Sequence, residues 1–144
     1  MLLIDVNVLV FAHRADAENH HAYRAWLEST LQSEERIGLS DLVLAAVVRI
    51  VSHSRIYRQP TPLDLALRYV ESLREDAAIF QVSPGPLHWG IFTNLCRAAD
   101  IRGSLVSDAY FAALAIENGA EWITADRDYA RFPGLRWRHP LAKP

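Results

Sequence analysis

Apolar residues along this chain follow two rhythms: short runs of three or four, and longer stretches where they recur every three or four positions. Leu2-Leu3-Ile4 is the first short run, and it ends on Asp5, as a buried strand meeting a polar edge would. Val6 to Ala12 stays apolar and predicts a helix. Asp16 to Glu35 predicts a longer one, with Tyr23, Trp26, Leu27, Thr30 and Leu31 on one face. Ile37-Gly38-Leu39 reads as a second strand, after which Ser40 or Asp41 can cap an apolar helix from Leu42 to His53. Thr61-Pro62 opens another helix, with Thr at the cap, Pro at the first helical position and Asp64 in the first turn. Its apolar positions are Leu63, Ala66, Leu67, Val70 and Leu73. Ala78 to Val82 predicts a third strand. Leu87 to Ala99 predicts a helix with His88, Ile91, Phe92, Leu95 and Cys96 on one side.

The stretch from Leu105 to Gly134 organises the rest. Ser107 can cap a helix whose first turn holds Asp108, and Ala109 to Ile116 is apolar on nearly every face, so that helix is expected to be buried. Asn118-Gly119 is a stop signal, because Gly closes a helix in the left-handed conformation. Glu121 to Thr124 then reads as a short buried strand running straight into Asp126 and Asp128, and Leu135-Arg136-Trp137 as an edge strand. Strands alternating with helices imply parallel pairing. The expected fold is α/β: a single domain over residues 1–144, built as a three-layer α/β/α sandwich around a mostly parallel sheet of four to five strands.

Composition narrows the picture. With 144 residues, 51% of them apolar, the chain can bury a real core, and a formal net charge of −2 neither demands nor excludes a nucleic-acid partner. The single Cys96 can build neither a disulfide framework nor a zinc site, which fits a reducing cytoplasm. The N-terminal run has no basic region ahead of it and is interrupted by Asp5. We therefore expect neither a signal peptide nor a membrane span, and a cytoplasmic location.

The candidate chemistry is acidic. In parallel α/β sheets the functional crevice lies at the carboxyl ends of the strands. Asp5, Asp41 and Asp126 each follow a strand, and Asp108 opens a helix that must start near the same edge. Carboxylates about 100 residues apart in sequence are thus expected to converge. Such a cluster repels itself unless a cation neutralises it, and oxygen-only ligands favour Mg²⁺ or Mn²⁺ over Zn²⁺. Ions of that kind can activate water and stabilise the leaving oxygen of a phosphodiester. Asn7 and Thr124 are suited to orienting a carboxylate, although Asn7 can equally cap a helix and Asp128 can equally be a solvated turn residue. His13, His20, His21 and His53 read as surface or helix-end residues, and His88, Trp89 and Cys96 as packing. Two basic regions could meet RNA: Arg49, Arg55 and Arg58, and then Arg127, Arg131, Arg136 and Arg138.

Together, Asp5-Val6-Asn7-Val8-Leu9, Asp108-Ala109 at the head of an Ala-rich helix, and Thr124-Ala125-Asp126-Arg127-Asp128 followed by Phe132-Pro133-Gly134-Leu135 resemble PIN-domain ribonucleases, most of all the toxins of VapBC toxin–antitoxin pairs. The resemblance spans the chain. It implies Mg²⁺- or Mn²⁺-dependent endonucleolytic cleavage of structured RNA, of the tRNA or rRNA class. It further implies a cognate VapB-type antitoxin and a homodimer. By position it makes Asp5, Asp108 and Asp126 the catalytic, metal-holding aspartates, with Asp128 as an accessory metal ligand. One departure stands out: where many such domains carry a Glu six residues after Ser40, this chain has Ala46. Asp41 cannot replace it by position, being roughly 7.5 Å away along the helix and about 140° around it. Ala46 motivates a second reading, a catalytically silent PIN-like module that binds RNA or an antitoxin; the acid cluster by itself leaves a third, another acid-cluster phosphotransfer fold such as a haloacid-dehalogenase-like phosphatase or a receiver domain. Against the last, Asp5-Val6-Asn7 lacks a second Asp, and the only lysine is Lys143.

Overall fold

The structure, a computed structural model, describes residues 1–143. The sheet is assembled from very short strands: β1 (Leu2–Ile4), β2 (Ile37–Leu39), β3 (Ile79–Gln81), β4 (Glu121–Ile123) and β5 (Trp137–Arg138). Every pairing is parallel, in the order β3-β2-β1-β4-β5. The helices are α1 (Val6–His13), α2 (His20–Leu31), α3 (Asp41–Val51), α4 (Leu63–Arg74), α5 (His88–Ala98) and α6 (Leu105–Glu117), and a 3₁₀ turn spans Arg127–Arg131. Among the described residues no helix is long and apolar enough to cross a membrane.

Contacts divide the helices into two groups, α1 to α4 packed on one another and α5 packed on α6. The strand order explains this. Passing from β1 to β2 to β3 moves one way across the sheet, and the return from β3 to β4 moves the other way. Right-handed crossovers then place the two groups on opposite faces, giving the expected α/β/α sandwich. The direction reverses at the β1/β4 pair, so the crevice of such a sheet opens at Ile4 and Ile123, which are register partners. Both side chains are sealed from solvent, as are Val8, Leu9 and Leu114 of the helices that cover them.

Several local expectations shift, each for a physical reason. The second helix starts at His20 rather than Asp16, because Arg14 and Asp16 are engaged in an ion pair at 2.7 Å and residues 14–19 form turns. Thr61 does not cap α4. Its hydroxyl is buried and accepts from Arg14 Nη1 at 3.2 Å, while Pro62 takes the cap position. Leu63 and Leu67 of that helix are exposed, and its buried face is Ala66, Val70 and Leu73. The buried helix α6 begins at Leu105, so Ser107 lies inside its first turn and caps nothing. It ends as expected at Asn118 and at Gly119, whose φ is +60°. Trp89, expected to pack, is among the most exposed apolar side chains.

Gly38 of β2 is closely enclosed by its neighbours. A Cβ there would run into Leu3 Cδ2 and come within 2.6 Å of Val82 Cγ2, both in the buried core. Gly38→Ala is therefore expected to destabilise the protein by roughly 1–3 kcal/mol through overpacking. Chemical denaturation should show this as a lower midpoint with an unchanged slope.

Candidate active site

The site is built where β1 and β4 end side by side. The Asp5 amide donates to Ile123 O at 2.9 Å, and the Asp5 carboxylate then turns into the crevice as the cap of α1, with Oδ1 accepting from the Val6 amide at 2.7 Å. Oδ2 accepts from the Thr124 hydroxyl at 2.6 Å and from Asn7 Nδ2 at 3.2 Å. Asn7 Nδ2 also reaches Thr124 Oγ1 at 3.2 Å, and Asn7 Oδ1 accepts from the Ala125 amide at 3.1 Å. Thr124 Oγ1 in turn accepts from the Asp126 amide at 3.0 Å. Asn7 and Thr124 thus hold Asp5 and aim the chain toward Asp126.

Asp5, Asp108 and Asp126 line one cleft of about 460 Å³ together with Asn7, Ala46, Arg49, Tyr57, Ser107 and Tyr129. The three expected aspartates therefore meet, although they come from β1, α6 and the segment after β4. Asp128 stands apart from them. It is exposed, it does not line the cleft, and its carboxylate lies 3.7 Å from Arg131; its amide donates to Asp126 Oδ1 at 2.8 Å. Asp41 is paired on the surface with Arg74 at 2.8 Å, outside the site. Ala46 does face the cleft. In the second basic region, Arg136 donates to Gly119 O and Arg138 pairs with Glu121, so both serve the fold.

Tyr129 is a contributor that the pattern alone did not flag. Its ring is buried in a series of close aromatic contacts running Phe111–Trp122–Tyr129–Phe132, and its hydroxyl donates to Asp108 Oδ1 at 3.3 Å. Its place directly after Asp128, on the first turn beyond the strand, was the available signal.

The electrostatics are those of carboxylates crowded together and partly buried. Burial pushes the Asp5 carboxyl up to about 7, and Asp108 and Asp126 push the same way, against the hydrogen bonds from Thr124 and Val6. Asp108 is also raised, first by burial and then by Asp126, with Tyr129 and Arg131 pulling back. Among the described residues no Lys or Arg forms an ion pair with Asp5, Asp108 or Asp126. Nor do three His, Cys, Asp or Glu side chains stand close enough to enclose an ion unaided. All-oxygen donors in an open arrangement fit a hard divalent ion such as Mg²⁺, which keeps most of its waters and takes one or two carboxylates.

A family model described as PIN domain matches residues 2–135. The chain belongs to the PIN-domain family. That membership removes the phosphatase and receiver alternatives. This PIN domain is 45% identical over 141 residues to ribonuclease VapC43 of Mycobacterium tuberculosis, covering 98% of this chain and 96% of that protein. It is 37% identical over 140 residues to ribonuclease VapC25 of the same organism, covering 97% and 99%. Among solved structures it resembles VapBC2 from Rickettsia felis bound to a DNA fragment from its promoter, with a TM-score of 0.70 at 19% identity over 96% of this chain and 97% of that one. It also resembles M. tuberculosis VapC20, a sarcin-ricin loop cleaving toxin, with a TM-score of 0.65 at 16% identity over 94% and 99%. At those identities the likeness is one of fold.

The raised Asp5 carboxyl has a consequence for stability. Between the unfolded value of 3.8 and about 7 the native state binds the proton more tightly than the unfolded chain. The Asp5 contribution to metal-free stability should therefore be fully present below pH 4, fall as pH rises, and be lost above pH 7, against the opposite trend of Asp16 and Asp41, whose arginine partners lower them. The fall attributable to Asp5 is roughly 2–4 kcal/mol. Denaturation in chelator across this range should show a flatter profile for Asp5→Asn; an unchanged slope would assign the effect elsewhere.

Proposed function

We propose that this PIN domain is a Mg²⁺- or Mn²⁺-dependent endoribonuclease toxin of a type II toxin–antitoxin pair, hydrolysing phosphodiester bonds in structured RNA of the tRNA or rRNA class. The observation that carries the reading is the convergence of Asp5, Asp108 and Asp126 in one cleft without a paired cation. The relatives named as VapC ribonucleases support it across nearly the whole chain. Asp5, Asp108 and Asp126 would hold the ion, with Asp128 near enough to act on Asp108 electrostatically from the rim. When bound, a divalent ion supplies charge neutralisation and Lewis-acid activation at the phosphodiester.

The protein's own residues do the rest. Thr124 and Asn7 fix the Asp5 carboxylate, Tyr129 holds Asp108, and Arg49 sets a positive charge in the cleft to attract the RNA backbone. None of the described residues lining the cleft is a histidine or a lysine. The cleft thus lacks the histidine that most often activates a 2′-hydroxyl, and with its carboxylates assigned to the ion, water is the proposed nucleophile.

For partners, we propose a VapB-type antitoxin and a second copy of this chain. Solved VapBC complexes of the same fold support the first. Exposed Leu42, Val106 and Trp89, joined by Phe92 on one side of the cleft, support the second. Ala46 favours one competing reading, a silent module that binds RNA or antitoxin without cutting.

Incubation of a structured-RNA pool with Mg²⁺, Mn²⁺ or EDTA separates the two. Metal-dependent cleavage is expected, leaving 5′-phosphate and 3′-hydroxyl ends, with Asp108→Asn at least about 100-fold slower. Ends carrying 2′,3′-cyclic phosphate, or full activity in Asp108→Asn, would refute the assignment. Ala46→Glu adds an oxygen donor at the cleft wall at little cost in helix propensity, and it should lower the Mn²⁺ needed for half-maximal activity several-fold. A lower melting temperature with unchanged metal dependence would show that this position belongs to the core instead.

A further inference from the structure

The connector between α3 and α4 carries Tyr57, which the acid chemistry does not use. Tyr57 lines the cleft that holds the aspartates, and it also lines a neighbouring hollow of about 360 Å³ shared with Phe11, Tyr23, Asp16 and Glu18. Phe11 is common to both cavities as well, so the ridge between them is aromatic.

Tyr57 is held stiffly for a residue on an irregular connector. The Arg14 guanidinium covers its ring, with Cζ 3.9 Å from the centroid. Arg14 is itself fixed: Nε and Nη2 donate to Asp16 at 2.9 and 2.7 Å, and Nη1 donates to Gln59 O at 2.9 Å and to Thr61 Oγ1 at 3.2 Å. The rest of the ring, half-buried overall, is what the two cavities share. Charge distinguishes the two spaces. The cleft offers a phosphate Arg49 and, once its three aspartates hold a cation, that charge as well, whereas the lining of the hollow offers no cation: its Asp16 is tied to Arg14 and its Glu18 is exposed. A flat base suits an aromatic hollow with Glu18 as an acceptor for its amino group.

We propose that Tyr57 is a stacking platform for a nucleobase flanking the scissile phosphate, with that base turned over the aromatic ridge into the hollow. The proposal rests on the ribonuclease reading above. Arg14 acts through Tyr57 as a positioning residue. Stacking accepts any base, so Tyr57 contributes affinity and registers the strand, while Glu18 at the rim favours bases bearing an exocyclic amine.

The test is steady-state cleavage of a mixed transfer-RNA pool with Mn²⁺ by the full chain and by Tyr57→Phe and Tyr57→Leu, each checked by its thermal melt. Tyr57→Leu keeps apolar bulk and loses the aromatic face; its KM should rise roughly 5- to 50-fold with kcat held within about twofold. Tyr57→Phe should keep the wild-type KM. An unchanged KM in Tyr57→Leu, a fall in kcat alone, or equal impairment in Tyr57→Phe overturns the proposal. A second measurement needs no variant. Ultraviolet crosslinking of the wild-type chain to a short single-stranded RNA carrying 5-iodouridine, in EDTA, should map to Tyr57 or Phe11. A map that misses both overturns the proposal even if Tyr57→Leu fails to fold. A wild-type chain that crosslinks there but cuts no RNA leaves the base platform standing and removes the ribonuclease reading.

Discussion

A buried carboxylate that must stay hydrogen-bonded governs the architecture around it. Asp5 is almost wholly inaccessible, and an unpaired charge there would cost several kcal/mol. Its two oxygens are met by the Val6 amide, the Thr124 hydroxyl and the Asn7 amide. These donors tie the end of β1 to the end of β4 and to the start of α1. Changing the β1/β4 register by one residue would turn Thr124 away and cost the carboxylate its shortest hydrogen bond, so the sheet and the site specify one another. The same bonds only partly offset the desolvation of Asp5, and the remainder is what a divalent cation would relieve.

Around this lock the other acids are set by packing. Trp122 stacks near-parallel to Phe111 at 5.6 Å and contacts Tyr129 at 5.5 Å, linking α6, β4 and the 3₁₀ turn through one aromatic series. Phe111 lies three residues after Asp108, and Tyr129 lies three after Asp126. The core therefore locates both carboxylates without touching either, apart from the Tyr129 hydroxyl on Asp108. The Asp128 carboxylate has only Arg131 beside it, and it stays at the rim.

Much of this was legible in the residues, and the remainder shows where pattern stops. Strand positions were readable because three apolar residues followed by a polar one leave few alternatives, and the parallel-sheet rule then brought Asp5, Asp108 and Asp126 to one edge. Caps were less readable, because they depend on tertiary competitors. Thr61 looks like a helix cap, but Arg14 and His13 claim its hydroxyl. Ser107 looks like another, but the turn at Gly103 starts the helix sooner. Tyr57 was invisible as a site residue, since nothing local reveals that a guanidinium from α1's end will lie across its ring. Arg136 and Arg138 look like a basic patch and prove to be ties to the sheet, because charge counting cannot see a carbonyl or a glutamate across a loop.

The order in which the lock's parts occur along the chain has a consequence for biosynthesis. Asp5 is made first, yet the hydroxyl that orients it arrives 119 residues later, and the strand that seals Thr124 in place, through the bond to Arg138 O, comes later still. Until Thr124, Asp126 and Arg138 have left the ribosome, the acids at residues 5 and 108 have no third member and no shared cleft. A nascent chain that stops short of Thr124 therefore lacks the assembled site. The crevice is completed in one late step, across the longest sequence separation spanned by any side-chain bond among the described residues.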